Sequence, residues 1–368
     1  MKFSCTRSEL QAAVSIASKA ASAKSPIPAL EGLLIETTLN GVKLTGYDLK
    51  KGIYTSLDAA DTEQGSVVLG ARIFSEIVRS LPEGTVTVRT ENNNVFITCE
   101  NSDFSIIGTD AADYPELPAI DALSGVSIPQ KIMGEMIRQT IFAVSDSEAR
   151  PVYTGELFEI GDGNLTVVAV DGYRLALRRE PVEGMDGEYS FIVPGNALSD
   201  LEKLCAATDE PVEIRLGSKH ISFTIGSTVL ISRRLEGEFL NYKKTVPSSF
   251  RVEVRADRYF LQRTVERVSL IIDDKIKNPI RCFFGENEIR VVCATGLGKA
   301  EDACIVEGDG GNLEIGFNNR YLLDALKAAP AEEINVCLNT GASPCVITPA
   351  EGEQSFLYMI LPVRLKAE

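Results

Sequence analysis

The sequence predicts an α+β chain of three topologically similar domains, and three observations carry this. First, residues 32–44 read as strand, turn, strand; a shift of 123 brings them onto residues 155–167, and a further shift of about 124 onto residues 280–292. Second, Val67-Val68-Leu69-Gly70-Ala71, Phe191-Ile192-Val193-Pro194-Gly195 and Ile315-Gly316-Phe317-Asn318-Asn319 recur at the same interval, each opening a helical run. Third, a third of 368 residues is about 123, so three copies fill the chain. Self-similarity at a fixed period is the signature of repeated architecture. A chain of this length buries several full cores without disulfide or metal support.

Each copy reads as a doubled strand–helix–strand unit. Strand 1–5 opens the first, followed by a helix from residue 8 to about residue 21 with Leu10, Val14 and Ala17 on one face. Two or three short strands reach about residue 57. The pattern restarts with strand 66–70, helix 72–81 and strands 85–90, 95–100 and 104–108. The third copy repeats it, with helices near 257–271 and 319–328. Asn92-Asn93-Asn94 and Asp162-Gly163-Asn164 suit hairpin turns. Connectors lie at 113–118, followed by 121–125, and at 239–249, where prolines and small residues favour extended chain. The expected domains are 1–122, 123–247 and 248–368.

Composition excludes several chemistries. His220 is the only histidine, which argues against a His-based triad, a multi-histidine metal site and a Cys2His2 finger. No two of the eight cysteines are spaced C-x-x-C. Cys282, Cys293 and Cys304 are evenly spaced, but each lies in an apolar strand-like run and reads as a buried, reduced core residue. Gly296-Leu297-Gly298-Lys299-Ala300 lacks the upstream glycine and the Ser or Thr of a phosphate loop. No dinucleotide fingerprint follows a strand, so no catalytic residue, metal or cofactor is expected. No apolar run nears the roughly 18 residues of a membrane span. The N-terminal residues lack the apolar stretch of a signal peptide, and a cytoplasmic protein is expected.

The net charge is −15. It is unevenly spread: the six helical stretches, counted as residues 7–24, 72–81, 129–145, 195–207, 255–271 (with Arg255) and 318–329, carry +2, +1, +1, −1, +2 and +1, about +6 together, which leaves about −21 elsewhere. Screening confines a bound polyanion's view to roughly 8 Å at physiological salt, so basic helices can serve DNA inside an acidic protein. Mixed charge for solubility is the other reading, and the count alone does not choose.

Particular motifs add to this. They are Met1-Lys2-Phe3, Gly46-Tyr47-Asp48-Leu49, Ala71-Arg72 with Leu81-Pro82-Glu83-Gly84, and Asp113-Tyr114-Pro115-Glu116-Leu117-Pro118. Asp171-Gly172-Tyr173-Arg174-Leu175-Ala176, Phe191-Ile192-Val193-Pro194 and the ending Leu361-Pro362-Val363-Arg364-Leu365 complete the set. In this order, inside a threefold repeat, the chain resembles the bacterial DNA polymerase III beta subunit, the replicative sliding clamp, over its whole length. The resemblance implies three domains of the DNA clamp fold in a non-catalytic, head-to-tail homodimeric ring around duplex DNA. Helices line the central hole and antiparallel sheets lie outside. It also implies short-motif partners: the replicative polymerase alpha subunit, the clamp-loader delta subunit, other polymerases and mismatch-repair proteins. The expected setting is the cytoplasm, at the nucleoid. A clamp-like scaffold that keeps the partner pocket but loads poorly on DNA is the alternative.

Carried over by motif, the resemblance implies a partner pocket between the second and third domains. Its walls would be Tyr153, Val170, Gly172, Tyr173, Arg174 and Leu175, then Leu240, Lys244 and Thr245 of the connector. Tyr321, Cys345, Met359, Ile360, Leu361, Pro362, Val363 and Arg364 would complete it. Lys24, Arg72, Arg79, Lys131, Arg138, Arg150 and Lys203 would face DNA. Ile73, Phe104 and Ile106 would meet Ile271 and Ile272 of a second copy. The sequence departs from the family pattern at several points. Tyr173 stands where His is frequent and Leu240 where Pro is frequent. Gly195-Asn196 lacks the usual basic residues, the 149–152 loop lacks an aromatic, and 296–303 is less acidic. The extra residues Lys366, Ala367 and Glu368 would partly screen the pocket.

Overall fold

The computed structural model describes residues 1–39, 41–121, 124–182, 187–273 and 278–365. The chain divides into two compact units, residues 1–134 with 200–234, and residues 135–199 with 235–368. The division runs through the helices Gln130–Arg138 and Gly195–Leu204.

The first unit holds two antiparallel sheets. One orders the strands Ala60–Glu63, Lys2–Thr6, Thr85–Glu91, Asn94–Cys99 and Ser102–Ile107. The other begins with Ser124–Pro129, Pro211–Leu216, His220–Ile225 and Thr228–Arg233. It continues through Lys51–Asp58, Gly41–Tyr47, Gly32–Thr37 and Ser66–Gly70. The helices Arg7–Ser18 and Ala71–Ser80 share a core with Phe3, Leu33, Leu44, Phe74 and Val88. Thr6 caps the first helix in a reciprocal box with Glu9. That helix ends at Ser18, not near 21: the amides of Lys19, Ala20 and Ala21 bond carbonyls three residues back, tightening the last turn.

The second unit is built on one ten-stranded antiparallel sheet. Its order starts with Tyr189–Pro194, Gly155–Gly161, Asn164–Val170, Arg174–Pro181 and Phe356–Ile360. Cys345–Pro349, Glu333–Leu338, Val252–Asp257, Gly298–Phe317 and Ile280–Thr295 follow. Where the other copies have separate short strands, the third has a hairpin of 16- and 20-residue strands, with register shifts between Phe284 and Glu288. The turn Asp162-Gly163 has both φ values positive, 51° and 71°, as a two-residue hairpin requires. The helices Arg258–Ser269 and Asn319–Ala328 cover one sheet face.

Arg255 corrects the charge reading. It lies in the strand Val252–Asp257, one residue pair before the helix, and ion-pairs with Glu333 and with Glu351 (2.7 Å). Its charge is spent within the sheet and does not belong to the helix layer. Asp257 caps that helix by accepting from the Phe260 amide at 2.9 Å. Among the described residues no helix is long and apolar enough to cross a membrane, and no group of three or more His, Cys, Asp or Glu is placed to hold a metal.

Candidate partner-binding site

The candidate site lies wholly in the second unit, where the strand Arg174–Pro181 pairs with Phe356–Ile360. A tight turn precedes the first strand. The Asp171 carboxylate accepts from the amides of Tyr173 (2.9 Å) and Arg174 (3.1 Å). Gly172 has φ +91°, a value side chains disfavour, and leaves open space where a Cβ would stand.

Side chains alternate across a strand, and this sorts the expected residues. Val170, Leu175 and Met359 face one side, in a buried cluster with Leu157, Val168, Leu177 and Val346. The connector packs on this cluster through Phe239, Leu240, Tyr242 and Val246. Tyr153 joins from the 3-10 turn Pro151–Thr154, its ring edge-on to Phe239 at 5.5 Å. Tyr242 is buried, and its hydroxyl donates to Glu159 at 2.5 Å. Burial, then Glu159, push its phenol pKa up. Lys244 and Thr245 are exposed on the short helix Tyr242–Thr245, capped by Asn241. Phe239, Tyr242, Val246, Leu157, Val168, Leu177 and Val346 were not among the residues expected from sequence. The alternation of Leu175 with Leu177 was the available signal.

Cys345 and Ile360 require correction. They pair with each other across neighbouring strands and are fully buried on the opposite, helix-covered face, with Ala176 and Tyr358. Neither lines a surface on the side of Leu175.

Arg174 also points to the helix-covered side. Its guanidinium bonds Asp171 (2.9 Å) and Asp324 (2.5 Å) and lies over the rings of Tyr321 (4.5 Å) and Phe142 (5.4 Å). Tyr173, exposed, stacks on Tyr321 at 6.1 Å. Arg174 thus ties the strand turn to the helix Asn319–Ala328 and sets this aromatic pair. The Leu361 amide bonds the Tyr173 carbonyl, and the Val363 amide the Gly316 carbonyl, each at 2.8 Å. These bonds hold Leu361, Pro362 and Val363 half-buried, with Arg364 exposed. Residues 366–368, expected to screen the site, lie outside the described residues.

The expected DNA-facing residues occupy helix ends and loops of both units. Arg79, Arg138 and Lys203 stand in last turns, where the helix dipole favours cations. Lys131 is exposed near the start of its helix and Lys24 in the loop after the first helix. Arg72 is 92% exposed but paired with Glu76 at 3.0 Å. Arg150 is exposed, 5.7 Å over the Tyr153 ring. Among the expected interface residues Ile73 is 48% exposed, while Phe104, Ile106, Ile271 and Ile272 pack partly on their own cores. More exposed neighbours were not expected: Ile107 (81%) on the edge strand and Leu270 (83%) at a helix end.

Three family models match in succession: DNA polymerase III beta subunit N-terminal domain over residues 1–118, central domain over 127–241 and C-terminal domain over 243–364. The chain belongs to the DNA polymerase III beta subunit family. It is 36% identical over 367 residues to the beta sliding clamp of Halalkalibacterium halodurans, covering 94% of this chain and 95% of that one. The DNA polymerase sliding clamp of Bacillus subtilis superimposes with TM-score 0.93 at 31% identity, covering all of both chains. The Pseudomonas aeruginosa sliding clamp bound to griselimycin gives TM-score 0.94 at 27% identity, covering 99% of this chain and 100% of that one. The three-domain clamp fold therefore holds for this chain.

Proposed function

We propose that this chain is a sliding clamp that encircles duplex DNA and tethers the replicative polymerase for processive synthesis. The carrying observation is similarity to beta sliding clamps along almost the full length of both chains. On this reading the domains are 1–122, 123–247 and 248–368, and two copies close head to tail. The chain works without catalysis, as part of the polymerase III holoenzyme at the nucleoid. A ring holds DNA by topology, so a weak, sequence-blind positive lining suffices and permits sliding. The polymerase alpha subunit, the loader delta subunit and repair proteins dock on the floor of Val170, Leu175 and Met359, beside Leu240 and Leu361. Each large apolar anchor gains roughly 1.5–3 kcal/mol, so two give an exchangeable complex suited to a shared platform.

The test is fluorescence anisotropy with a labelled polymerase-tail peptide of the Gln-Leu-x-Leu-Phe type. Saturable micromolar binding to wild type, weakened in Leu361→Ala, is expected. Equal affinity in both would remove the site. Griselimycin, bound by the Pseudomonas clamp, is a second probe. Gly195-Asn196, standing where basic residues are usual in the family, favours a second reading, a scaffold that binds peptide but loads poorly on DNA. Peptide binding without stimulation of polymerase synthesis would select it.

A further inference from the structure

Two places in this chain are built on one plan. In the first unit the strand Lys51–Asp58 pairs with Thr228–Arg233; in the second, Arg174–Pro181 pairs with Phe356–Ile360. Asp48, Leu49 and Lys51 stand 123 residues before Asp171, Gly172 and Arg174. The Asp48 carboxylate accepts from the amides of Lys50 (2.9 Å) and Lys51 (2.6 Å), as Asp171 does from Tyr173 and Arg174. Leu49 has φ +72°, Gly172 +91°. The Arg233 amide bonds the Lys50 carbonyl, as the Leu361 amide bonds that of Tyr173. Lys51 ion-pairs with Asp200, and Arg174 with Asp324, 124 positions later.

The apolar floors correspond as well. Tyr153, Val170, Leu175 and Met359 of the candidate partner site match Leu30, Tyr47, Gly52 and Ile231, with Gly52 opposite Ile231 as Leu175 is opposite Met359. Leu30, like Tyr153, comes from a 3-10 turn. The decisive difference is Gly52. A Cβ there would lie 2.3 Å from Leu117 Cδ2, so the connector's leucine occupies the space that the Leu175 side chain fills in the second unit. Tyr114, buried, fixes the connector by donating to the Thr45 carbonyl at 3.2 Å, and Pro115 and Pro118 flank Leu117 and stiffen it. In the second unit the corresponding connector residue, Leu240, meets a floor that already carries a leucine.

We infer that the first junction is a closed counterpart of the candidate partner site: Leu117, seated on Gly52, is its built-in apolar ligand, so each chain presents one such site instead of two. The comparison rests on the partner-site reading; the closure rests on Leu117 and Gly52 alone.

Crystals of the full chain carrying Leu117→Ala, pressurised with xenon, test it. Xenon bound between Tyr47, Gly52 and Ile231 in the variant and absent there in wild type is expected. A variant that takes no xenon at this place, or a wild type that does, overturns the inference. Gly52→Leu gives a second test should the first variant fail to fold. Its side chain, the one Leu175 carries at the matching position, would take the space of Leu117, and protease cleavage within residues 113–121 should quicken at least tenfold; unchanged cleavage overturns the inference. Calorimetric titration of wild type with the polymerase-tail peptide separates the two readings. One equivalent per chain is expected. Two equivalents would sink the closed counterpart alone, and no binding would sink the partner site while leaving the xenon result to decide the closure.

Discussion

Glu156 is a single residue with a measurable signature. It is fully buried, and neither carboxylate oxygen has a hydrogen-bond partner. Burial pushes its carboxyl up to about 8, opposed by the neighbouring Thr140 hydroxyl. That hydroxyl gives its own proton to the Met136 carbonyl at 2.8 Å, which leaves it little with which to steady a carboxylate. The folded chain therefore keeps Glu156 neutral where the unfolded chain, near pKa 4.3, has ionised it. The folded state then binds the extra proton, so stability falls as pH rises from about 4.3 to about 8. Urea melts should show Glu156→Gln gaining on wild type across this window; a constant gap would mean the carboxyl is not held neutral. Arg174 carries a different prediction. Arg174→Ala leaves Asp171 and Asp324 without their shared cation and should destabilise the folded chain by roughly 1–3 kcal/mol in urea melts. Arg174→Lys should not restore the loss, because an ammonium cannot bridge both carboxylates as a planar fork does. Full rescue by lysine in the melts would reduce Arg174 to a point charge.

Elements explain which residues meet. A strand has period two, so Met359 and Ile360 share a strand but serve opposite faces. Cys345 goes with Ile360 for the same reason, and burial pushes its thiol pKa well up. His220, at a strand start, is held below its ordinary value by burial and by Arg233 and Lys219, so it stays neutral near pH 7. The link between the strand Lys51–Asp58 and the helix Gly195–Leu204 is the ion pair of buried Lys51 with partly buried Asp200. Removing one partner strands the other, at a cost of about 3–5 kcal/mol, whereas replacing both by apolar residues is often near neutral. Lys51→Met alone should therefore destabilise the chain more than Lys51→Met with Asp200→Leu. Denaturant melts of the two variants decide it, and additive losses would mean the pair is not coupled.

At the scale of the whole molecule the question is how a chain of net charge −15 serves DNA. Short-range screening makes the local sign matter more than the total. Arg255 is consumed by Glu333 and Glu351, whereas the exposed pair of Arg72 with Glu76 is weak and screened, so Lys24, Arg72, Arg79, Lys131 and Lys203 are the better candidates for phosphate contact. Each phosphate contact adds about 0.9 to the slope of log affinity against log salt. Arg79→Glu or Lys24→Glu should flatten the slope by about one contact each, measured with linear duplex. An unaltered slope in both would assign these residues to surface solvation.

The 123-residue repeat, strand and helix alternation and turn residues made the three-domain α+β plan legible in the sequence, because periodicity and backbone preference are local properties. The same locality made Asp48 and Asp171 visible as paired positions. The family resemblance also implied Val170, Leu175 and Met359, which the sheet does bring to one face. It did not distinguish them from Ile360 and Cys345, because which side of a strand faces a helix depends on what packs there. Nor did it reveal that Arg174 reaches Asp324, 150 residues away, or that Leu117 fills the space above Gly52. Those contacts join residues far apart in sequence, and only the tertiary structure decides them, since burial and ion pairing depend on position in space and not on spacing along the chain.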